Sequence, residues 1–345
     1  MAGGLERQIV RVAGELSKIG FNIIILSYDN EPSDSFYEIP NKIKWIKCGN
    51  GLKPHTSAPF LLRIKQIYNL RKILSNNSIT HLITFHHGIF PRSFLASLLL
   101  PIKKIVSERN SLSNYKYIKL SKFNSGYFSL FLADKITVQL NSYIEEYPKL
   151  LKNRIYVVPN LLRKNDQYII PDIEGLTIAM MGRLSAQKNF TPLLDQCLEN
   201  IDLSKSIRIK IAGDGEYREL FESKYHNLIS MGILELLGNI KNTQQFLKSS
   251  TIFCFSSLWE GYPNALVEAM GAGLPIVLSN RLSNLHDFVE NKYNGRIVSD
   301  KDYLSSIISM LKNRKELRLM SKRSFMKYRI LYKKSSIQNW IDLIN

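Results

Sequence analysis

Short runs rich in β-branched residues alternate with helix-length segments along nearly the whole chain, and any fold must satisfy that alternation. The first series is FNIIILS (21–27), KIKWIK (42–47), THLITF (80–85), KKIVS (103–107), KITVQ (135–139) and RIYVV (154–158). The second is LTIAMMG (176–182), IRIKIAG (207–213), ILELLG (233–238), TIFCFSS (251–257), LPIVLS (274–279) and GRIVS (295–299). Strands separated by helices build parallel sheets from β-α-β units. At 345 residues, two series imply two doubly wound α/β domains, expected over 1–160 and 176–320. The polar, Pro-flanked stretch 161–175 reads as the linker.

The first series opens without a strand. GGLERQIVRVAGELSKIG (3–20) reads as a Gly turn and an amphipathic helix with Ile9, Val12, Ala13 and Leu16 on one face. Only Met1 and Ala2 precede it, so the first domain is expected to lack the strand that would normally lie mid-sheet.

A hydrophobic fraction of 45% with 22% charge excludes a disordered chain. No apolar run reaches the ~20 residues of a membrane span, SFLASLLLP (93–101) being the nearest. The N-terminus shows no secretory pattern. Cys48, Cys197 and Cys254 have neither metal-site nor redox-motif spacing. A soluble cytoplasmic protein is expected. Its net charge of +18 is uneven, with balances of +12 over 1–160, −2 over 161–311 and +8 over 312–345. Such clusters suit an anionic membrane surface or nucleic acid, or serve solubility alone.

Three segments of the second half carry chemistry, each at the carboxyl end of an expected strand, where open α/β sheets bind ligands. In GRLSAQKNF (182–190), Arg183 and Lys188 are two cations able to neutralise a diphosphate, or else ordinary loop cations. AGDGEY (212–217) holds Gly213 and Gly215 in a turn that is either a plain strand-to-helix connection or a site of close backbone approach. In SSLWEGYPNALVEAMGAGLPIVLS (256–279), Glu260 and Gly261 lead through Pro263 into a helix. The amides of Asn264, Ala265 and Leu266 are then expected to face an anion. Glu260 and Glu268 are costly beside such a site unless each meets hydroxyl groups, one a sugar's and the other a ribose's. The plainer alternative is a buried β-α-β unit with two exposed glutamates.

GRLSAQKN, GDG and EGYPNALVEAMGAGLPIV, in that order, resemble the donor domain of retaining glycosyltransferases of family 4. GGLERQ resembles the family's opening turn, and ADKITVQLNSYIEEY (133–147) its step before the linker. The resemblance implies the GT-B fold: two facing Rossmann-like domains, acceptor-binding first and nucleotide-sugar-binding second, with a C-terminal helix (321–345) packing back on the first. It implies donor-sugar contacts from Glu260, ribose contacts from Glu268, and diphosphate contacts from Arg183 and Lys188. Gly182, Gly213, Gly215 and the backbone from Gly261 through Tyr262, Pro263, Asn264 and Ala265 to Leu266 would complete the donor site. Gly3 and Gly4 would close over it from the acceptor side. SERN (107–110) resembles a variant in bacterial polysaccharide enzymes, making Glu108 and Arg109, with nearby His86, acceptor-side candidates. No metal or other cofactor is implied.

The implied reaction moves a hexose or N-acetylhexosamine, with retention, from a nucleotide-diphosphate sugar (UDP favoured) to a polyprenyl-diphosphate-linked or glycolipid acceptor in O-antigen or capsule assembly. The place of action would be the inner face of the plasma membrane, with YKYIKLSKFNSGYFSLFLA (115–133) as a candidate docking face. His86 and His87 show no carboxylate or Cys spaced for a metal, and His286-Asp287 resembles a family loop near the nucleotide. Two other readings stay open: a weakly active glycosyltransferase that lacks its first strand, and a nucleic-acid-binding protein, although no nucleic-acid module accompanies the basic tail.

Overall fold

The computed structural model describes residues 3–345 apart from 31–32, 50–58, 120–121, 166, 169 and 173. It divides into two compact units, Met1–Leu162 with Ser335–Asn345, and Arg163–Lys334. The expected strands all form. The first unit holds β1 (Ile24–Ser27), β2 (Lys44–Lys47), β3 (His81–Phe85), β4 (Lys103–Ser107), β5 (Lys135–Val138) and β6 (Ile155–Val157). The second holds β7 (Thr177–Met181), β8 (Arg208–Ala212), β9 (Leu234–Gly238), β10 (Ile252–Phe255), β11 (Ile276–Ser279) and β12 (Gly295–Val298).

The second unit is one parallel six-stranded sheet in the order β12-β11-β10-β7-β8-β9. Its inner strands β10 (IFCF) and β11 (IVLS) are buried at every position, as strands covered on both faces must be. The helix Arg314–Lys334 lies on the helix Asn264–Gly271, and Gly271 permits that approach: a Cβ there would stand 2.8 Å from the Tyr328 ring.

In the first unit the described strands form two parallel sheets, β1-β2 and β3-β4-β5-β6. β1 and β3 are not hydrogen-bonded to each other, yet they share helix layers. Leu26 of β1 and Leu82 of β3 pack with Leu70, Leu74 and Ala96. Ile23, Ile83 and Phe85 pack with Val12 and Leu16 of the helix Gly4–Lys18. Among the described residues no strand precedes that helix. Its buried Gln8 exchanges two hydrogen bonds with the Leu161 backbone, at 3.0 and 3.2 Å.

Two boundaries differ from the sequence reading. The stretch read as linker belongs largely to the second unit from Arg163 onward, where Asn165 Nδ2 donates to Gly271 O at 2.7 Å. Residues 321–334 also stay with the second unit, and only Ser335–Asn345 joins the first. The ten cations of the basic tail all precede Ser335, so the first unit carries 22 basic and 11 acidic residues and the second 25 and 18. The second unit is therefore basic rather than neutral, because the tail's charge lies on a helix that packs on it.

The C-terminal helix Gln338–Ile344 completes the first unit's core. Trp340 is fully buried among Val12, Leu16, Ile105 and Val158, and Lys135 Nζ donates to Leu343 O at 2.6 Å. No helix among the described residues is long and apolar enough to cross a membrane. Trp340→Ala should cost the first unit about 3–5 kcal/mol. Chemical denaturation of the full chain should show this as an earlier transition of one unit, with the other unchanged.

Candidate active site

In the second unit, β7 and β10 are hydrogen-bonded neighbours and mark the point where the strand order reverses. Ligands of open parallel sheets enter at the carboxyl ends of such a pair. The 182–190 loop leaves β7 there and the 256–263 loop leaves β10 there. The two loops are tied together: Leu258 N–H donates to Gln187 O (2.8 Å), Gln187 Nε2 to Trp259 O (2.9 Å), and Ser256 Oγ to Lys188 O (3.2 Å).

This tying brings Lys188 Nζ to 2.6 Å from Glu260 Oε1, with the side chains only 17% and 8% exposed. Each charge offsets part of the other's cost of burial. The Lys188 stem passes over Gly182, where a Cβ would meet its Cδ and Cε at 2.9 Å. Gly213 has φ +135°, and a Cβ on it would fall 2.0 Å from Gly182 O. A Cβ on Gly215 would fall 2.4 Å from Leu184 O. The Gly-Asp-Gly turn is thus a place of close backbone approach, the wall against which the Arg183–Lys188 loop is laid. Arg183 is exposed and forms no ion pair among the described residues.

The helix Asn264–Gly271 begins after Pro263 without a side-chain cap, leaving its first turn as a source of N–H dipoles. Asn264 N–H donates to Tyr262 O at 2.9 Å, so that amide of the first turn is already engaged within the loop. Three neighbours offer only backbone. Leu266 is fully buried, Pro263 is buried, and the Tyr262 ring stands edge-on to Phe288 at 5.8 Å. Burial, and then the neighbouring Tyr328, raise the Tyr262 phenol above its ordinary range. Glu268 is half-buried and accepts from Thr243 Oγ1 at 3.4 Å, a partner with no signal in the sequence.

A second cluster occupies the carboxyl ends of β3 and β4 in the first unit. The register pairs Phe85 with Ser107, so His86-His87 and Glu108-Arg109 emerge side by side. Glu108 is fully buried, and its Oε1 accepts from His87 N–H (2.5 Å) and His87 Nδ1 (2.8 Å). With Nδ1 donating to the carboxylate, a neutral His87 leaves Nε2 to accept from the Tyr117 hydroxyl. Burial first, and then the Glu108 charge, push the phenols of Tyr115 and Tyr117 up, so both keep their protons. His86 stacks on His87 at 4.4 Å with φ +91°, a conformation rare for any residue but glycine. Burial lowers its pKa.

The structure thus supplies the carboxylate that sequence spacing did not show for the histidine pair. It comes from the next strand, 21 residues on. No group of three metal-ligating side chains forms among the described residues. Arg109 turns away from this cluster: it lies over Phe85 and Trp340 at 4.9 and 5.3 Å and donates to Asn160 Oδ1 at 2.7 Å. Burial lowers its pKa to about 9, against the Glu108 charge that raises it. Gly3 caps the Gly4–Lys18 helix and accepts from Arg7 N–H at 3.2 Å, while Gly4 is exposed at its start. His286 and Asp287 are exposed.

Residues 166–325, most of the second unit, match the family model "Glycosyl transferases group 1". An uncharacterized glycosyltransferase of Haemophilus influenzae is 28% identical over 94% of this chain and 91% of its own length. The Escherichia coli UDP-Gal:alpha-D-GlcNAc-diphosphoundecaprenol alpha-1,3-galactosyltransferase is 34% identical over 43% of this chain. The matched stretch spans 39% of that relative, and likewise 39% of an uncharacterized Methanocaldococcus jannaschii glycosyltransferase. Among solved structures, Anabaena HepE with UDP and glucose has a TM-score of 0.79 at 12% identity, covering 99% of this chain and 96% of that one. The lipopolysaccharide outer core galactosyltransferase WaaB has 0.72 at 19%, with the same coverage. The fold is GT-B.

Lys188→Met should destabilise the second unit by about 3 kcal/mol, because Glu260 is left buried without its cation. Adding Glu260→Leu should recover part of that loss, as read in a double-mutant cycle by chemical denaturation.

Proposed function

We propose that the chain is a retaining glycosyltransferase of family 4, moving a hexose or N-acetylhexosamine from a UDP-sugar to a lipid-linked saccharide during assembly of a cell-surface polysaccharide. The observation that carries the reading is the Lys188–Glu260 pair set between β7 and β10 beside the uncapped Asn264–Gly271 helix. A diphosphate lying against that helix end meets the Ala265 and Leu266 amides, Lys188 and the exposed Arg183. Glu260 takes only one of the three protons of Lys188 Nζ, which leaves the ammonium able to serve a phosphate oxygen as well. Glu260 would accept from donor-sugar hydroxyls and Glu268 from the ribose.

In the transfer, the bond from the anomeric carbon to the diphosphate breaks while the acceptor oxygen bonds to the same face. The acceptor's proton passes to the departing phosphate oxygen. Charge develops on that leaving group, so the cations Arg183 and Lys188 contribute most to lowering the barrier. Donor identity follows the UDP-bound structural relatives, and the lipid-linked acceptor follows the Escherichia coli galactosyltransferase. We place the enzyme at the anionic inner face of a membrane, in keeping with the first unit's 22 basic against 11 acidic residues.

On the acceptor side, the Glu108–His87–Tyr117 chain supports a hydroxyl-receiving role for Tyr117. Its proton is committed to His87 Nε2, so its oxygen is left to accept from a ligand hydroxyl. Glu108, wholly buried, acts as a positioning residue through His87.

A thermal-shift panel with UDP, GDP and ADP tests the donor site. A nucleotide at a hundred times its Kd adds about 2.7 kcal/mol to the folded state, a rise of several degrees. UDP should give that rise in the wild type and a smaller one in Glu268→Ala; no rise with any nucleotide would refute the reading. With a GlcNAc-diphosphate-alkyl acceptor, Tyr117→Phe should raise the acceptor KM roughly tenfold, the worth of one hydrogen bond, and leave the donor KM unchanged.

A further inference from the structure

The helix Phe60–Asn76 (FLLRIKQIYNLRKILSN) carries a buried apolar stripe and, about a quarter turn round, a second apolar stripe that the fold leaves exposed. Leu70 and Leu74 are buried with Ala96 and Ile102 in the first unit's core. On the second stripe Phe60 is 74% exposed, Leu61 80%, Ile64 48% and Tyr68 68%. Their spacing of one, four and eight residues lines them up as a stripe.

The neighbouring helix Phe90–Ser97 packs on this one, and Arg71 Nη1 donates to Leu98 O at 2.6 Å, tying the residues just past that helix to the stripe's own helix three residues beyond Tyr68. Leu99 is 92% exposed and has φ +62°, a left-handed conformation that a side chain disfavours. An apolar residue held in a disfavoured backbone and returned no burial is a cost this chain does not recover within itself. Arg63, Lys65 and Lys72 are exposed around the stripe, and the helix contains no acidic residue.

We infer that this surface, the Phe60–Tyr68 stripe with Leu98–Leu99, is where the protein enters the interface of an anionic bilayer. It presents aliphatic and aromatic side chains flanked on the same helix by three exposed cations, the pattern of a helix lying in the headgroup plane. The cations complement anionic lipid, and Tyr68 suits the polar-apolar boundary. The 115–133 segment singled out from the sequence is a poorer surface. Tyr115 and Tyr117 are turned onto His87, Leu130 is buried, and its largest exposed feature is the stacked Phe123–Phe128 ring pair. The inference rests on the reading that the chain works at a membrane, and names the element that touches it.

The test is co-sedimentation of the full chain with vesicles of phosphatidylcholine, alone or with roughly one-third phosphatidylglycerol. No sugar nucleotide is present, so failure here leaves the donor-site reading to its own assay. Wild type should bind the anionic vesicles and bind pure phosphatidylcholine more weakly. Leu61→Ser with Ile64→Ser should weaken binding about tenfold or more, whereas Phe123→Ser should not. Leu99→Gly is the sharper variant. Glycine tolerates the positive φ, so this change should raise the melting temperature while lowering vesicle binding. The inference is overturned if wild type ignores anionic vesicles, if the stripe variants bind as wild type does, or if Phe123→Ser alone abolishes binding. It also fails if size-exclusion shows a dimer in solution that Leu61→Ser dissociates, since a second copy would then cover the stripe.

Discussion

Parallel strand pairing is the constraint on which the rest of this molecule depends. Every strand in the described sheets runs the same way as its neighbour, so all the carboxyl ends of a sheet, and the loops that leave them, gather at one edge. In the second unit the order reverses between β7 and β10, and the two loops leaving those strands are the ones stitched by the Gln187 and Ser256 hydrogen bonds. The Lys188–Glu260 contact spans 72 residues of sequence and exists only because of that arrangement. The same logic acts in the first unit, where β3 and β4 in register deliver His87 and Glu108 to each other.

Two buried carboxylates show how a low-dielectric interior is made tolerable. Glu260 is held by a lysine at its edge, a pairing that satisfies charge while leaving donors to spare. Glu108 instead collects a backbone N–H and an imidazole N–H, so its charge is spread into a hydrogen-bonded chain ending on a half-buried phenol. The first arrangement suits a place where another anion arrives. The second suits the fixing of one side chain's orientation. Arg109, adjacent in sequence to Glu108, serves the core instead, lying under Trp340 and helping to lock the C-terminal helix to the first unit.

Much of this was legible in the chain. The β-branched runs marked the strands because strands buried on both faces need continuous apolar stretches. The glycine and proline placement around 182–190 and 256–279 marked the two loops at the sheet's carboxyl edge because those positions demand close approach or a helix start. Other features were not legible. The alternation of elements located the 163–175 stretch but not its attachment, since Asn165 reaching Gly271 is a contact across about a hundred residues. Summed charge misplaced the basic tail, because charge along a sequence carries no record of which unit its helix packs on. The Phe60–Asn76 helix escaped notice because an exposed apolar stripe beside the buried one, with cations between, blurs the amphipathic pattern by which surface helices are read.

By itself, then, the sequence determined the elements, their parallel class, the division into two Rossmann-like halves and the residue types gathered at the loops after β7 and β10. These are local properties: side-chain shape sets strand or helix, and glycine and proline set turns within a few residues. Only the tertiary structure decided the partners. Lys188 meets Glu260, Glu108 meets His87, Arg109 meets Trp340, and Leu99 is left outside. Each of those outcomes depends on strand order, on register, or on which helix face the core has already taken. Those quantities are defined between segments, and no window of the chain contains them.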